Sequence, residues 1–558
     1  MMAIMTNDKP WLTQYPEDVP TKIDSSMYNN INDLFKESFN AHAKKAAYIN
    51  MGHSLSYQDL ESKSNAFAAY LQSELKMKKG ERIALMMPNL LQYPITILGA
   101  LKAGLIIVNV NPLYTPRELK HQLRDSGASA IVAVTNFGNN LQQILHETNI
   151  KHVMLTKIGD ELAMHKRTLV NFLIKHVKKI VPKYHIPDAI SLRRALTEGK
   201  KLPFIDPQIT VDDLAYLQYT GGTTGPAKGA MLTHSNIISN VLQVHAHFSP
   251  RTLYDKEYAV TPLPLYHIFA NSVSMMFMLF LGATNLLITN PRDIDGFVAD
   301  LSKYPFTMVF GLNTLFNGLN NHAGFQKLDF SHARFTIAGG MPTQIHIADR
   351  WQQLTGMPVI EGYGLTECSP VVAAGTHQQQ SFISSIGVPL PSTELRIVND
   401  ENEPLGPNQI GEIQIRGPQV MKGYWQQEAE TNTVMHAGGW LSSGDIGRMD
   451  DDGIFYIEDR KKDMILVSGF NVFPTEIEEV ATLHPHIIEA AAIGIPDDAT
   501  GEKVKLFIVR KGNVTVDEIK KHCRKYLTGY KNPRIIEFRD ELPKSNVGKI
   551  LRRELRDS

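Results

Sequence analysis

The sequence predicts an α/β protein built from several structural units, and three observations carry this prediction. The chain has 558 residues, which is too long for a single hydrophobic core. Residues 50–134 alternate predicted strands with predicted helices, the order expected of parallel strands covered by helices. Residues 386–420 carry short alternating runs that are typical of an antiparallel sheet or barrel. We therefore expect layered α/β subdomains followed by a small β-barrel-like subdomain.

The elements of the amino-terminal region follow from the spacing of apolar residues. Apolar residues three and four apart indicate helices, whereas short apolar runs bounded by turn residues indicate buried strands. Strands are predicted at 82–87, 105–108 and 130–134. Helices are predicted at 56–75, 92–103 and 116–126, and another after residue 139.

Composition argues against several classes of function. Lysine and arginine total 57 and balance 57 aspartate and glutamate residues, which argues against a general nucleic-acid binder. The two cysteines, Cys368 and Cys523, lie far apart and lack metal-ligand spacing, so neither a disulfide framework nor a zinc site is indicated. Charged residues interrupt the amino terminus, so no signal peptide is predicted. A cytoplasmic location is expected.

Two stretches bear on membranes. Residues 258–291 contain no charged side chain, but prolines, a glycine and polar residues divide them, which favours a buried helix followed by a strand over a membrane span. Residues 166–183 place apolar side chains on one helical face and cations on the other. This pattern leaves a solvated surface helix and an interfacial membrane helix both open, the latter giving weak peripheral contact with the inner face of the cell membrane.

A loop rich in glycine and threonine, residues 219–229, is the feature around which the chain is organised. Its glycines let backbone N–H groups turn toward one point, its hydroxyls add donors, and Lys228 adds positive charge, a combination that suits a polyphosphate. It is not a Walker A sequence, because no glycine directly precedes Lys228 and no Ser or Thr follows it. The candidate ligand residues of the loop are Thr220, Gly221, Gly222, Thr223, Thr224, Gly225 and Lys228.

Residue for residue, this loop resembles the phosphate-binding core of the adenylate-forming superfamily, which includes acyl-CoA synthetases, adenylation domains of peptide synthetases and beetle luciferases. Further motifs follow in the order of that superfamily as far as residue 549. They are the pair Gly339-Gly340, the block 361–367 (Glu-Gly-Tyr-Gly-Leu-Thr-Glu), the block 438–447 around Asp445, the run 459–471 and the loop of Lys549. The runs 439–447 and 459–474 look most like bacterial long-chain fatty acyl-CoA synthetases.

The resemblance implies a role for each motif residue. Tyr363 would stack on adenine, Thr366 would bond the α-phosphate, and Asp445 would accept both ribose hydroxyls. Glu367 and Thr223 would hold Mg²⁺, and Lys549 would be the catalytic lysine. The other residues implied in binding nucleotide or CoA are Gly339, Gly340, Glu361, Gly362, Gly364, Arg460, the hinge residue Lys462, and Ser468 and Gly469 on the path of the CoA thiol.

The acid pocket and the domain division rest on the same resemblance. His267, in the run 262–269, would lie at the mouth of the pocket and gate or position the substrate. Amino-acid-activating relatives carry an Asp where this chain has Ala270, so an amino acid is a poor candidate substrate. Two domains are implied: 1–461 with the ATP, Mg²⁺ and acyl sites, and 462–558, a small mobile α+β domain with Lys549.

The implied reaction joins a long-chain fatty acid to the AMP portion of ATP and then to CoA. Open alternatives are a medium-chain or aryl-acid CoA ligase, an acyl-AMP ligase and, more weakly, a luciferase-type oxygenase. A non-catalytic lipid-binding peripheral membrane protein is the alternative from a different class. Acyl length and oligomeric state, a homodimer included, stay undetermined at the level of sequence.

Overall fold

The computed structural model describes residues 9–220, 227–545 and 548–556, and the strands in those ranges form four sheets. Two sheets are built from the first sixteen strands. In chain order these are β1 (Ala46–Asn50), β2 (His53–Ser56), β3 (Arg82–Met86), β4 (Ile106–Asn109), β5 (Ala130–Val134), β6 (His152–Thr156), β7 (Ile190–Ser191), β8 (Leu214–Tyr219), β9 (Gly229–Thr233), β10 (Tyr258–Thr261), β11 (Thr284–Leu287), β12 (Met308–Gly311), β13 (Phe335–Gly339), β14 (Val359–Gly364), β15 (Val371–Ala374) and β16 (Val388–Pro389).

Helices alternate with these strands along the chain. They are α1 (Ile31–Leu34), α2 (Lys36–Ala41), α3 (Tyr57–Ser73), α4 (Gln92–Lys102), α5 (Pro116–Ser126), α6 (Gly138–Ile144), α7 (Met164–Phe172), α8 (Leu192–Gly199), α9 (His234–Phe248), α10 (Met278–Phe280), α11 (Ile294–Leu301), α12 (Asn313–Asn320) and α13 (Ile345–Thr355). A π-helix, Leu173–Val177, follows α7, and another, Ala270–Phe277, leads into α10.

Both amino-terminal sheets are mainly parallel. The seven-stranded sheet has the order β7-β6-β5-β3-β4-β8-β9, with only β8 and β9 antiparallel. The nine-stranded sheet has the order β16-β15-β14-β13-β12-β10-β11-β1-β2, parallel from β14 to β1 and antiparallel at both edges. This arrangement confirms the predicted α/β class, because parallel neighbours need a crossover connection.

The local predictions agree with the observed elements to within a few residues. Helix α5 matches its predicted bounds, and its start is fixed by a capping box between Thr115 and Glu118. The uncharged stretch 258–291 forms β10, the buried π-helix, α10 and β11, so a buried helix followed by a strand is confirmed. Within the described ranges, no helix combines the length and apolar character needed to cross a membrane.

The third sheet is antiparallel, as the alternating runs predict. Its elements are β17 (Glu394–Val398), β18 (Gly411–Arg416), α14 (Glu428–Val434), β19 (Met435–His436), β20 (Trp440–Met449) and β21 (Phe455–Arg460). The order is β17-β18-β20-β19, and β21 also pairs with β20.

The carboxy-terminal region forms the fourth sheet and has its own apolar clusters. Its elements are β22 (Ile465–Val467), β23 (Phe470–Val472), α15 (Pro474–Thr482), β24 (Ile487–Asp497), β25 (Gly501–Arg510), α16 (Val516–Tyr526), β26 (Ile535–Phe538) and α17 (Arg552–Arg556). The small α+β unit expected at this end of the chain is therefore present. Its boundary at 461/462 stays a prediction.

Candidate active site

Three of the sequence motifs meet where neighbouring parallel strands end. Strands β14, β13, β12 and β10 lie side by side in the nine-stranded sheet. Gly339 ends β13, Gly364 ends β14, and residues 262–269 follow β10. Carboxyl ends of parallel strands share one edge of a sheet, and ligands of open α/β sheets bind at that edge. The fold itself thus gathers these motifs.

The loop rich in glycine and threonine connects β8 to β9. Five of its candidate ligand residues lie outside the described residues: Gly221, Gly222, Thr223, Thr224 and Gly225. At the base of the loop the Thr220 N–H donates to the Lys228 carbonyl over 2.9 Å. Thr233, the last residue of β9, forms a capping box with Asn236 and starts α9.

Tyr424 joins two predicted ligand residues and was missed by the sequence reasoning. Its hydroxyl donates to Glu367 Oε1 over 2.7 Å, and the Lys228 ammonium lies 5.0 Å from the centroid of its ring. Lys228 also pairs with the exposed Glu430, a contact that costs little to exchange for a phosphate. The available signal was the aromatic pair Tyr424-Trp425 after a glycine, but no spacing rule ties that pair to Glu367.

Glu367 lines a polar cavity of about 380 Å³ together with Tyr424, His436, Ser442 and Lys461. A carboxylate beside open polar space suits Mg²⁺, which proteins bind through few carboxylates plus substrate phosphates. In the part of the chain that the structure describes, no group of three or more His, Cys, Asp or Glu side chains could hold a metal ion. The single carboxylate of Glu367 beside this cavity fits Mg²⁺ shared with a polyphosphate.

Asp445 is the buried centre of a contact among three side chains. Its side chain accepts the Tyr363 hydroxyl over 2.6 Å at Oδ2 and pairs with Arg460 Nε over 2.5 Å at Oδ1, and Asp445 is only 3% exposed. The β20–β21 register sets Asp445 opposite Arg460, whereas Tyr363 comes from β14 in another sheet. Burial, and then the charge of Asp445, raises the pKa of Tyr363, so the phenol stays a donor.

Lys549 enters this site from the carboxy-terminal region. Its turn is closed by the Ser545 N–H donating to the Lys549 carbonyl over 2.7 Å. A Cβ on Gly548 would lie 2.8 Å from Thr314 Oγ1 on α12, so the turn is held close against the large α/β part. Burial, and then the positive charge of Arg460, lowers the pKa of Lys549 to about 8.

The charges around Lys549 are unbalanced. Three nearby cations oppose the protonation of Lys549: Arg460, Lys462 and Arg552. The nearby carboxylate of Asp445 favours it. Excess positive charge in a partly buried site is costly unless an anion offsets it. The arrangement is therefore suited to an anionic ligand, and a polyphosphate is the anion that the neighbouring motifs indicate.

His267 lies at the same edge of the nine-stranded sheet. Burial, and then the charge of Lys549, lowers the pKa of His267 to about 4, so its imidazole is neutral at neutral pH. Its Nδ1 accepts the Phe269 N–H over 3.3 Å. A Cβ on Gly339 would lie 3.2 Å from the Phe269 ring, so the run after β10 packs directly against the glycine pair. A neutral, hydrogen-bonded imidazole suits a positioning role.

Backbone packing explains part of the 361–367 block. A Cβ on Gly364 would overlap the Pro370 carbonyl, so only glycine fits there without a shift. Glu361 accepts the Thr343 N–H over 2.5 Å, and burial raises its pKa to about 7. Thr366 follows β14 on the short 3₁₀ helix Thr366–Cys368, which also carries Glu367. Gly362 pairs with Gly339 across the β13–β14 ladder.

The predicted hinge and thiol-path residues differ in position. Lys462 follows Arg460 by two residues, is exposed, and lies close enough to Lys549 for its charge to oppose the protonation of Lys549. Ser468 and Gly469 have φ angles of 51° and 82° and form the exposed turn between β22 and β23. Gly340 also has a positive φ, 87°, and open space around it. Of the residues assigned to the small domain, the structure brings Lys549 to the site and leaves the Ser468-Gly469 turn in solvent.

Comparisons with known proteins extend these observations. The model of the AMP-binding enzyme family matches residues 35–425, and that of the AMP-binding enzyme C-terminal domain matches residues 476–549. The long-chain-fatty-acid–CoA ligase of Escherichia coli O157:H7 is 54% identical over 550 residues, with 98% of each chain covered.

Solved structures resemble the chain over almost its whole length. An anthranilate CoA ligase in complex with anthranoyl-AMP has a TM-score of 0.82 at 23% identity and covers 97% of this chain and 98% of its own, a likeness that carries the fold alone. The ATP-bound MatB from Rhodopseudomonas palustris has a TM-score of 0.81 at 25% identity, with 95% and 98% covered.

Proposed function

The chain belongs to the AMP-binding enzyme family, and from that premise we propose that it is an AMP-forming ligase of long-chain fatty acids and CoA. It uses ATP and Mg²⁺, with CoA as the acyl acceptor. The observation that carries the proposal is the convergence of Lys549, Arg460 and Asp445 beside the strand ends that hold the block 361–367.

The first step makes the acid reactive. The fatty acid carboxylate attacks the α-phosphorus of ATP, the bond to pyrophosphate breaks, and an acyl-adenylate forms. Carboxylate and triphosphate repel each other, and Lys549 and Arg460 offset that repulsion at the α-phosphate. Preorganised donors of this kind are worth about 3–4 kcal/mol each in the barrier. When bound at Glu367, Mg²⁺ supplies further neutralisation of phosphate charge.

The second step transfers the acyl group. The CoA thiol attacks the acyl carbon and releases its proton to solvent, the bond from that carbon to the AMP oxygen breaks, and AMP leaves with the bonding electrons. Lys549 and the Ser468-Gly469 turn belong to the same small region, so rotation at Lys462 would withdraw the lysine and bring in the turn. A movement of this kind lets one site serve two steps with different needs.

We expect the nucleotide product to be AMP, released with pyrophosphate in amounts equal to the acyl-CoA formed. The reason is that the carboxylate attacks the α-phosphate and not the γ-phosphate. Chromatography of nucleotides after incubation with palmitate, ATP, Mg²⁺ and CoA measures this. Stoichiometric ADP would contradict the reaction, and absence of pyrophosphate release with every fatty acid would favour a non-catalytic lipid-binding protein.

The activity measured across a panel of acids distinguishes a long-chain ligase from the related enzymes. For a long-chain ligase, kcat/KM rises about fourfold per methylene until the pocket ends, which corresponds to about 0.8 kcal/mol per buried CH₂. Best activity with an aryl or medium-chain acid would replace the long-chain assignment. Formation of acyl-adenylate without thioester would indicate an acyl-AMP ligase.

The segment 166–183 supports a location at the inner face of the membrane as part of this proposal. Its apolar side chains point outward: Phe172 is 56% exposed and Val177 is 62% exposed, and Leu169 and Ile180 are exposed as well. Five lysines and one arginine lie in the same segment. A solvated helix would turn its apolar face inward, so this exposure favours the interfacial alternative. Each cation near anionic lipid contributes about 1 kcal/mol.

We expect the double variant Phe172→Ser, Val177→Ser to bind anionic vesicles about tenfold more weakly, because two apolar side chains no longer enter the lipid interface. Co-sedimentation with phosphatidylglycerol-containing vesicles at low and high salt measures this. Leu483→Ser, at another exposed apolar position, is the matched control and should bind like the parent protein. Equal binding by the parent protein and both variants would show that the segment does not contact the membrane. Binding released only by detergent would contradict a peripheral contact.

A further inference from the structure

A histidine and a tyrosine meet at the far end of the buried helical stretch that begins at the active site. His245 Nε2 lies 2.7 Å from the Tyr254 hydroxyl. The His245 ring centroid is 5.2 Å from that of Phe280 and 6.5 Å from that of Phe277. His245 belongs to the last turn of α9, and Tyr254 lies in the connection between α9 and β10.

The stretch between the active site and this pair is continuous and largely apolar, with Asn271, Ser272 and Ser274 as its polar side chains. The π-helix Ala270–Phe277 begins three residues after His267 and passes directly into α10. Its residues are buried, and none from 268 to 281 is charged. The eleven residues 270–280 span less than the roughly 16 Å of an α-helix of that length, because most of them form a π-helix, which rises less per residue. An alkyl chain laid along this wall from His267 would run toward Phe280.

Polar groups lie at the far end of this wall. The Nδ1 atom of His245 is buried and has no hydrogen-bond partner among the described residues. The Lys45 ammonium donates to the carbonyl of Asp255, which follows Tyr254 in the chain, and to that of Gly282 over 2.6 Å. Displacing these polar groups with methylenes would cost more than the burial returns. An alkyl chain is therefore stabilised as far as Phe277 and Phe280 and not beyond the imidazole.

We propose that the His245–Tyr254 pair closes the far end of the acyl pocket and sets the longest acid that the enzyme accepts. This inference rests on the proposed fatty acid ligase function and adds the residues that limit chain length. His245 closes the pocket through its ring, and Tyr254 holds that ring from the solvent side. Tyr254 is 53% exposed, so it forms the solvent side of the pair.

The test is kcat/KM for saturated acids of increasing length, measured on the full-length protein and its variants. With His245→Ala, acids longer than the parent optimum should gain about fourfold for each additional methylene that fits. His245→Trp should shift the optimum to shorter acids, which general loosening of the fold would not do. Tyr254→Ala should move the optimum in the same direction as His245→Ala. Because Tyr254 is exposed, this variant tests the proposal even if His245→Ala folds poorly.

Leu253→Ala is the matched control, since Leu253 precedes Tyr254, is exposed and has no ring contact with His245. It should keep the parent profile. Unchanged chain-length profiles in the His245 and Tyr254 variants, with a parent protein active on fatty acids, would overturn this inference alone. A parent protein inactive on every fatty acid would instead overturn the proposed function.

Discussion

Replacement of Lys549 by alanine should lower the rate of acyl-adenylate formation by about 10²–10³-fold, because it removes a charge that stabilises the transition state at the α-phosphate. Thioester formation from pre-made acyl-adenylate should change much less. The reason is positional: Lys549 lies on a turn of the small carboxy-terminal region, beside Arg460 and Asp445, and rotation of that region would remove it before the thiol attacks. Single-turnover assays of the two half-reactions measure the difference.

Lys544→Ala is the matched control for this prediction. Lys544 lies five residues before Lys549 in the same loop, is exposed and pairs with Glu489 over 2.5 Å, away from the site. Both half-reactions should keep their rates in this variant. Equal loss of both half-reactions in Lys549→Ala would contradict the exchange of the lysine for the Ser468-Gly469 turn.

The pKa of Lys549 adds a second readout of the same prediction. With a value of about 8, the ammonium is present below that pH and lost above it, so kcat/KM for adenylation should fall above about pH 8. Lys549→Arg should lose this alkaline limb, since a guanidinium stays charged, although its different shape lowers the maximal rate. Because ATP phosphates favour the charged form, kcat should fall only at higher pH. An alkaline limb that persists in Lys549→Arg would assign it to another group.

Asp445→Asn is expected to raise the KM for ATP at least tenfold and to lower the free energy of unfolding by about 2 kcal/mol. Its carboxylate is buried and pairs with Arg460, and breaking such a pair leaves an uncompensated charge. The expected loss in the free energy of unfolding is smaller than for a fully buried ion pair, because about a third of the Arg460 side chain is exposed. ATP titration of the adenylation rate and denaturant unfolding measure the two effects.

Two companion variants separate binding from stability. Asp459→Asn alters another buried carboxylate, which accepts the backbone N–H groups of Arg460 and Thr475. It should lower stability and leave the KM for ATP near its original value. Tyr363→Phe removes only the hydroxyl that donates to Asp445 and should cost about 1.5 kcal/mol. An unchanged KM for ATP in Asp445→Asn would show that Asp445 does not bind the nucleotide.

Elements whose signals are local were predictable from the sequence. The capping box of Thr115 and Glu118 fixes the start of α5, and the apolar run of β5 is bounded as predicted. The stretch 258–291 was separated correctly from a membrane span, because its prolines and polar residues interrupt the apolar run. The exposure of the apolar side chains in 166–183 was not predictable, since the periodicity of a helix does not state which face packs against the rest of the molecule.

The α/β class, the family motifs and their order can be read from the sequence, since motifs, caps, turns and apolar periods extend over a few residues each. Which motif residues touch one another depends on the tertiary structure. Tyr363 and Asp445 are 82 residues apart, and Tyr424 and Glu367 are 57 apart. The contact of His245 with Phe280 likewise depends on how α9 packs against α10. Hydrophobic burial drives whole sheets and helices together without direction, so the partner that each polar side chain meets depends on the complete packing.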